Sequence, residues 1–204
     1  MSTAEVTALL LFCTAMSFSP GPNTTLSTAL AANGGLRRAL HFCLAVPAGW
    51  TLLMIGSGLG LGALILGVPA LRWGVKLAGV AYMLWLAWKL AGAAQLAQVD
   101  ESRLRVTFWQ GVGLQFLNIK AWMLALTLSA GWVVNAAGQP ATNPGQRLAI
   151  ICVVMALFAF TSNFTYALVG SLLRGWLAQG QRLLWFNRAL ALVLVATAAW
   201  MVVV

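Results

Sequence analysis

The sequence predicts an all-α integral membrane protein with six transmembrane helices. Hydrophobic residues make up 61% of the 204 residues and charged residues only 7%, whereas a soluble domain carries about 25% charged residues to cover its surface. Long stretches without Asp, Glu, Lys or Arg are separated by short segments that contain them. These observations exclude a soluble globule and, because of the apolar content, a disordered chain.

Six apolar stretches are each long enough to cross a bilayer, since a helix needs roughly 20 apolar residues for this. In chain order the predicted spans are Val6–Ala29, His41–Leu64, Leu71–Leu90, Phe108–Val133, Leu148–Leu172 and Leu184–Val203. The third span is the least regular, because Arg72 and Lys76 lie in it and must reach outward.

The basic residues predict the orientation. Most of the 12 Lys and Arg residues follow the first, third and fifth spans, so the positive-inside rule places these segments in the cytoplasm and both termini outside. The bases form no dense stripe, and the net charge of +9 therefore does not indicate nucleic-acid binding. The lipid bilayer is one expected partner.

We expect one transmembrane domain, 1–204, made of two half-repeats, 1–97 and 106–204, joined by a cytoplasmic loop. Three spans per half give the halves opposite orientations, which is the inverted 3+3 plan of many secondary transporters. This plan predicts irregular backbone at matching places in the two halves.

The first span carries such an irregularity at its middle. Two prolines flanking a glycine predict that this helix is broken, because proline removes a backbone donor and clashes with the preceding turn. The restarted helix would present free N–H groups, which bind carboxylates. The alternative is a proline kink relieved by Ser19. The residues predicted to face a substrate are Pro20, Gly21, Pro22, Asn23 and Thr24.

The fourth span carries Lys120 near its centre. A lysine at this depth is costly unless it meets water or a partner, and it indicates function. Because no Asp or Glu lies in any predicted span, its partner would be carbonyls of the broken helix, a substrate carboxylate or both. Gln115 and Asn118 join the candidate site. The alternative is that Lys120 reaches a membrane surface.

Asn163 and Tyr166 in the fifth span are three residues apart and share a helix face. Substrate contact and interhelical hydrogen bonding both remain open for this pair. The three cysteines are read as small buried hydrophobes with no metal-ligand spacing. We expect no catalytic residues, no metal and no cofactor, because the membrane part lacks the acids that intramembrane chemistry needs.

These features favour a secondary transporter of a small molecule. A passive channel would carry charge rings or filter motifs, which the sequence lacks, and it stays an alternative together with a non-transporting membrane subunit. A homodimer is left open.

Four motifs resemble the LysE/RhtB amino-acid exporters over essentially the whole chain. They are Ser19–Asn23 with its Pro-Gly-Pro core, Lys76–Lys89, Asn118–Ala121 and Asn187–Arg188. The resemblance implies export of amino acids or related zwitterionic metabolites across the bacterial inner membrane, driven by the proton gradient. It also implies an amino-acid-like small molecule as substrate.

The chain departs from this family pattern at two places. Ile119 stands where the family usually has a proline, so the fourth span is expected to be less sharply broken than in most members. In this segment the chain resembles the cysteine and O-acetylserine exporter subgroup, in which an aliphatic residue also stands before the lysine. In the second span, Val46 and Trp50 stand where glycines are expected, and Met54 stands where many members have a histidine.

Overall fold

The computed structural model describes residues 1–58, 60, 67–93, 106–134 and 140–203. Within these residues the chain is helical apart from short connections and one isolated bridge between Val134 and Pro140. The helices are α1 (Thr3–Phe18), α2 (Pro22–Gly34), α3 (Leu36–Gly58), α4 (Pro69–Ala91), α5 (Phe108–Leu117), α6 (Ile119–Leu128) with a π-helical turn (Ser129–Val133), α7 (Pro144–Leu177) and α8 (Arg182–Val203).

Three of these helices, α3, α7 and α8, are each long and apolar enough to cross a membrane. The pair α1 and α2, and α5 with α6 and its π-helical turn, reach this length only as bent pairs, so the described residues hold three to five candidate spans. The prediction of an all-helical, multi-pass membrane protein is confirmed. The count of six and the inverted repeat stay predictions.

Helix α4, the third predicted span, is not among the candidate spans, and it contains Arg72, Lys76 and Lys89. Lys76 is only 9% exposed. Its Nζ donates a hydrogen bond to the carbonyl of Val202 in the last turn of α8 (2.9 Å). The lysine therefore reaches outward along the bundle, to a helix C-terminus whose carbonyls favour a cation.

Local sequence sets where several helices begin. Pro22, Pro69 and Pro144 each lie in the first turn of a helix, where the missing backbone donor costs nothing. Gly35 separates α2 from α3 with a φ of 83°, a conformation that glycine adopts readily. Two predicted features, the end of the second span at Leu64 and the loop between the half-repeats, lie outside the described residues.

The apolar core has two main layers. One layer joins buried residues of α2, α3, α4, α5, α7 and α8, and the first residue of α6, around Phe42 and Met83. The other joins buried residues of α1, α3, α6 and α7 around Trp50 and Trp122, and contains no residue of α2. The breaks within the first and fourth predicted spans fall between these layers, which leaves polar groups in the interior at that level.

Candidate functional site

The first break separates α1 from α2, whose axes differ by 52°. Gly21 caps α2, with Pro22 as the first helical residue. Thr24 Oγ1 accepts a hydrogen bond from the Gly21 N–H and donates one to the Gly21 carbonyl (both 3.0 Å). The prediction of a break at this place in the span is confirmed, and the local hydrogen bonds explain why it is stable away from water.

The second break separates α5 from α6 at Asn118, with a bend of 70°. Asn118 has extended backbone angles, and its Oδ1 accepts a hydrogen bond from the backbone N–H of Lys120 (3.1 Å). The span is therefore broken although Ile119 replaces the proline, and its bend exceeds that of the proline-containing first break. That the break is less sharp than in most family members stays a prediction. The asparagine cap satisfies the new helix start, so no proline is needed.

Lys120 extends from the second break to the first. Its Nζ donates a hydrogen bond to Ser19 Oγ (2.6 Å), and Ser19 Oγ donates in turn to the carbonyl of Met16 (2.8 Å). A Cβ placed on Gly21 would lie 3.5 Å from the same Nζ. The ammonium group therefore lies directly against the first break, within ordinary contact distance of the Gly21 position.

A cavity of about 60 Å³ lies between the two breaks. The first turns of α2 and α6 both border it, together with the Lys120 side chain. Two helix N-termini and an ammonium group favour an anionic group such as a carboxylate. The lining residues are Met16, Ser17, Ser19, Gly21, Pro22, Asn23, Thr24, Val46, Trp50, Asn118, Lys120, Ala121, Leu124, Met155, Ala159 and Asn163.

Side-chain hydrogen bonds tie α2 to its neighbours beside this cavity. Asn23 and Gln115 exchange two hydrogen bonds, from Asn23 Nδ2 (2.8 Å) and from Gln115 Nε2 (3.2 Å). Ser27 Oγ donates to Asn163 Oδ1 (2.9 Å). Gln115 is fully buried and Asn163 nearly so, and a buried polar group needs such partners.

The C-terminal end of α1 is held by α7. Ser162 Oγ donates to the carbonyl of Ser17 (2.6 Å), and Tyr166 Oη donates to the carbonyl of Phe18 (3.1 Å). These bonds satisfy carbonyls that the end of a helix leaves without partners. In this structure the Tyr166 hydroxyl therefore stabilises the end of α1 at the first break.

Seven of the ten predicted site residues line the cavity. They are Gly21, Pro22, Asn23, Thr24, Asn118, Lys120 and Asn163. Gln115 lies behind Asn23, Tyr166 lies beside the end of α1, and Pro20 is exposed. Their roles in binding stay predictions.

Ser19 and Trp50 also line the cavity, although neither was predicted as a binding residue. Ser19 lies next to the Pro-Gly-Pro segment, and this position was a usable signal. Trp50 stands in a continuously apolar stretch, where a tryptophan is ordinarily a packing residue. Among the described residues, no group of three or more His, Cys, Asp or Glu side chains could hold a metal ion.

Two helix breaks that border one cavity, with a lysine and three asparagines among its lining residues, are typical of secondary transporters. The architecture and the site therefore define a membrane transport protein. The chain belongs to the LysE type translocator family, whose model matches residues 14–203.

Curated relatives are similar along nearly the whole chain. A protein of Klebsiella pneumoniae named cysteine/O-acetylserine efflux protein is 31% identical over 93% of this chain and 94% of its own length. Proteins of the same name from Salmonella typhimurium and Escherichia coli K12 are 28% and 27% identical, each over 96% of both chains. No solved structure matches the chain.

Proposed function

We propose that this protein is a secondary-active exporter of amino acids or related small zwitterionic metabolites in the bacterial inner membrane. Membership of the translocator family and relatives named for cysteine and O-acetylserine efflux support this proposal. The observation that carries it is the position of Lys120, whose ammonium group reaches Ser19 beside the cavity between the breaks.

The substrate carboxylate would lie against Lys120 and the first turns of α2 and α6. Because all three present hydrogen-bond donors or positive dipole ends, they would replace the water that a carboxylate loses on leaving solution. Glu5 is the one acid in the described part of the chain, and it is 2.7 Å from Arg147. Glu5 therefore does not compete with a substrate carboxylate for the Lys120 ammonium group.

The proposal includes six spans, with both termini outside and the two halves related by inversion. The breaks support it, because they fall in the first and fourth spans, the first of each half. Alternating access would then come from movement of one half against the other around the cavity.

Coupling to the proton gradient is part of the proposal, as the family resemblance implies. The test is efflux of an amino-acid panel from proteoliposomes that contain only this protein, with and without a pH gradient. A passive channel would give efflux that is insensitive to an uncoupler. A non-transporting subunit would give no efflux at all.

Lys120→Ala tests the site. We expect this variant to abolish efflux while it still inserts and elutes as a folded protein, because the cavity loses its cation. Lys89→Ala is the matched control. Lys89 is in the last turn of α4, where its ammonium group lies over the ring of Trp85 and away from the cavity. The control should transport normally. A normal rate in Lys120→Ala would refute the assigned role.

A further inference from the structure

Two buried polar atoms beside the cavity have no hydrogen-bond partner among the described residues: Trp50 Nε1 and Ser17 Oγ. Both residues line the cavity. Trp50 is only 3% exposed and extends from α3. Its indole nitrogen is a donor and never an acceptor, so the partner that it lacks is an acceptor.

A buried indole N–H ordinarily finds a partner, and one left without it is costly. At Trp50 this unsatisfied donor lies beside the cavity that we assign to the substrate. The apolar residues that line the cavity with Trp50, among them Val46, Leu124 and Met155, offer no strong acceptor. The structure therefore leaves a place beside Trp50 for an acceptor atom that arrives with a bound molecule.

The donors for a carboxylate are already present elsewhere in the cavity, at Lys120 and the two helix N-termini. Trp50 lines the same cavity from α3. With the carboxylate held by those donors, the Trp50 N–H is left for a second acceptor on the same molecule. The cavity of about 60 Å³ is far below the roughly 300 Å³ of sites for larger ligands, so this acceptor must stand on a short side chain.

We propose that Trp50 determines specificity: its indole N–H donates a hydrogen bond to an acceptor atom on the substrate side chain and so selects small amino acids with short polar side chains. This inference rests on the proposed function, because it needs an amino acid in the cavity. A hydrophobic wall alone discriminates weakly between a substrate and an analogue that adds one hydroxyl, whereas a dedicated donor discriminates well.

Serine and alanine test the proposal, because they differ by one hydroxyl. Initial rates of efflux of each are measured from proteoliposomes with wild-type protein and with Trp50→Phe, which keeps an aromatic ring and removes the donor. Trp185→Phe is the control, since Trp185 is 61% exposed and lies outside the cavity. Ligand-induced shifts in melting temperature provide a second measure of binding.

We expect Trp50→Phe to lower the serine rate about 3- to 10-fold, the worth of one hydrogen bond, and to leave the alanine rate unchanged. The stabilisation by serine should fall while that by alanine stays. An equal loss for both substrates, or no change in their ratio, would overturn the inference. If the wild-type protein transports neither these nor any other amino acid, the proposed function fails instead.

Discussion

At the scale of single residues, Asn33 and Asn187 show how buried polar side chains of this protein satisfy each other's hydrogen bonds. Each amide donates to the other, at 2.8 and 2.9 Å. The remaining donors reach the backbone carbonyls of Ala29 and Ala93, both at 2.8 Å. Both side chains are buried. The pair therefore links α2, α8 and the backbone just after α4.

The two members of this pair should not contribute independently to the free energy of unfolding. Asn33→Leu leaves the Asn187 amide with unsatisfied groups, at about 1–3 kcal/mol of unfolding free energy. Asn33→Leu/Asn187→Leu removes the mutual pair, so its loss should be smaller than the sum of the two single losses. Thermal unfolding of the four proteins in detergent measures this. Strict additivity would show that the two amides are not coupled.

At the scale of helices, close backbone approach sets the packing of α3 against α5. A Cβ on Gly49 would lie 2.6 Å from the carbonyl oxygen of Val112, and one on Gly111 would lie 2.7 Å from the Cβ of Ala45. Both distances are too short for real side chains. Small residues at such contacts are the usual way in which membrane helices approach closely.

Gly111→Ala should therefore push α5 away from α3 and lower stability by roughly 1–3 kcal/mol, the cost of overpacking. Gly113 lies in the same helix, and a Cβ there would meet nothing within 4 Å. Gly113→Ala should be neutral or stabilising, because alanine is the better helix former. Melting temperatures in detergent compare the two variants. Equal losses would contradict the tight contact at Gly111.

The two helix breaks differ in how far the sequence reveals them. Pro20 and Pro22 cannot continue a helix, so the first break is visible in the sequence. The second depends on a single asparagine cap between apolar residues, and neither proline nor glycine marks it. Lys120 and Ser19 are 101 residues apart in the chain. Their contact depends on how two spans pack, which hydropathy does not report.

At the scale of the whole molecule, the described residues form two main core layers with polar groups between them. The predicted orientation of the protein in the membrane can be tested directly. All three cysteines are buried, so a variant in which alanine replaces them is a suitable background. Thr142, before α7, and Gln179, after it, are exposed at opposite ends of that helix. The positive-inside rule places Thr142 outside and Gln179 in the cytoplasm.

In intact cells, a membrane-impermeant maleimide should label Thr142→Cys. Gln179→Cys should be labelled only after the membrane is opened. The cysteine-free protein is the control for background reaction. The reverse pattern would overturn the orientation, and labelling of both positions in intact cells would show that α7 does not separate two compartments.

The enclosure of α2 has a consequence for how the protein is made. Every residue of α2 except Asn23 and Gly34 is buried. Its polar partners Gln115, Asn163 and Asn187 are 92, 136 and 154 residues further along the chain. A ribosome therefore delivers this central helix early, and the helices that enclose it much later. Until those helices emerge, the side-chain amides of Asn23 and Asn33 need water or the insertion machinery as hydrogen-bond partners. The centre of the molecule is therefore synthesised early, and its packing is completed last.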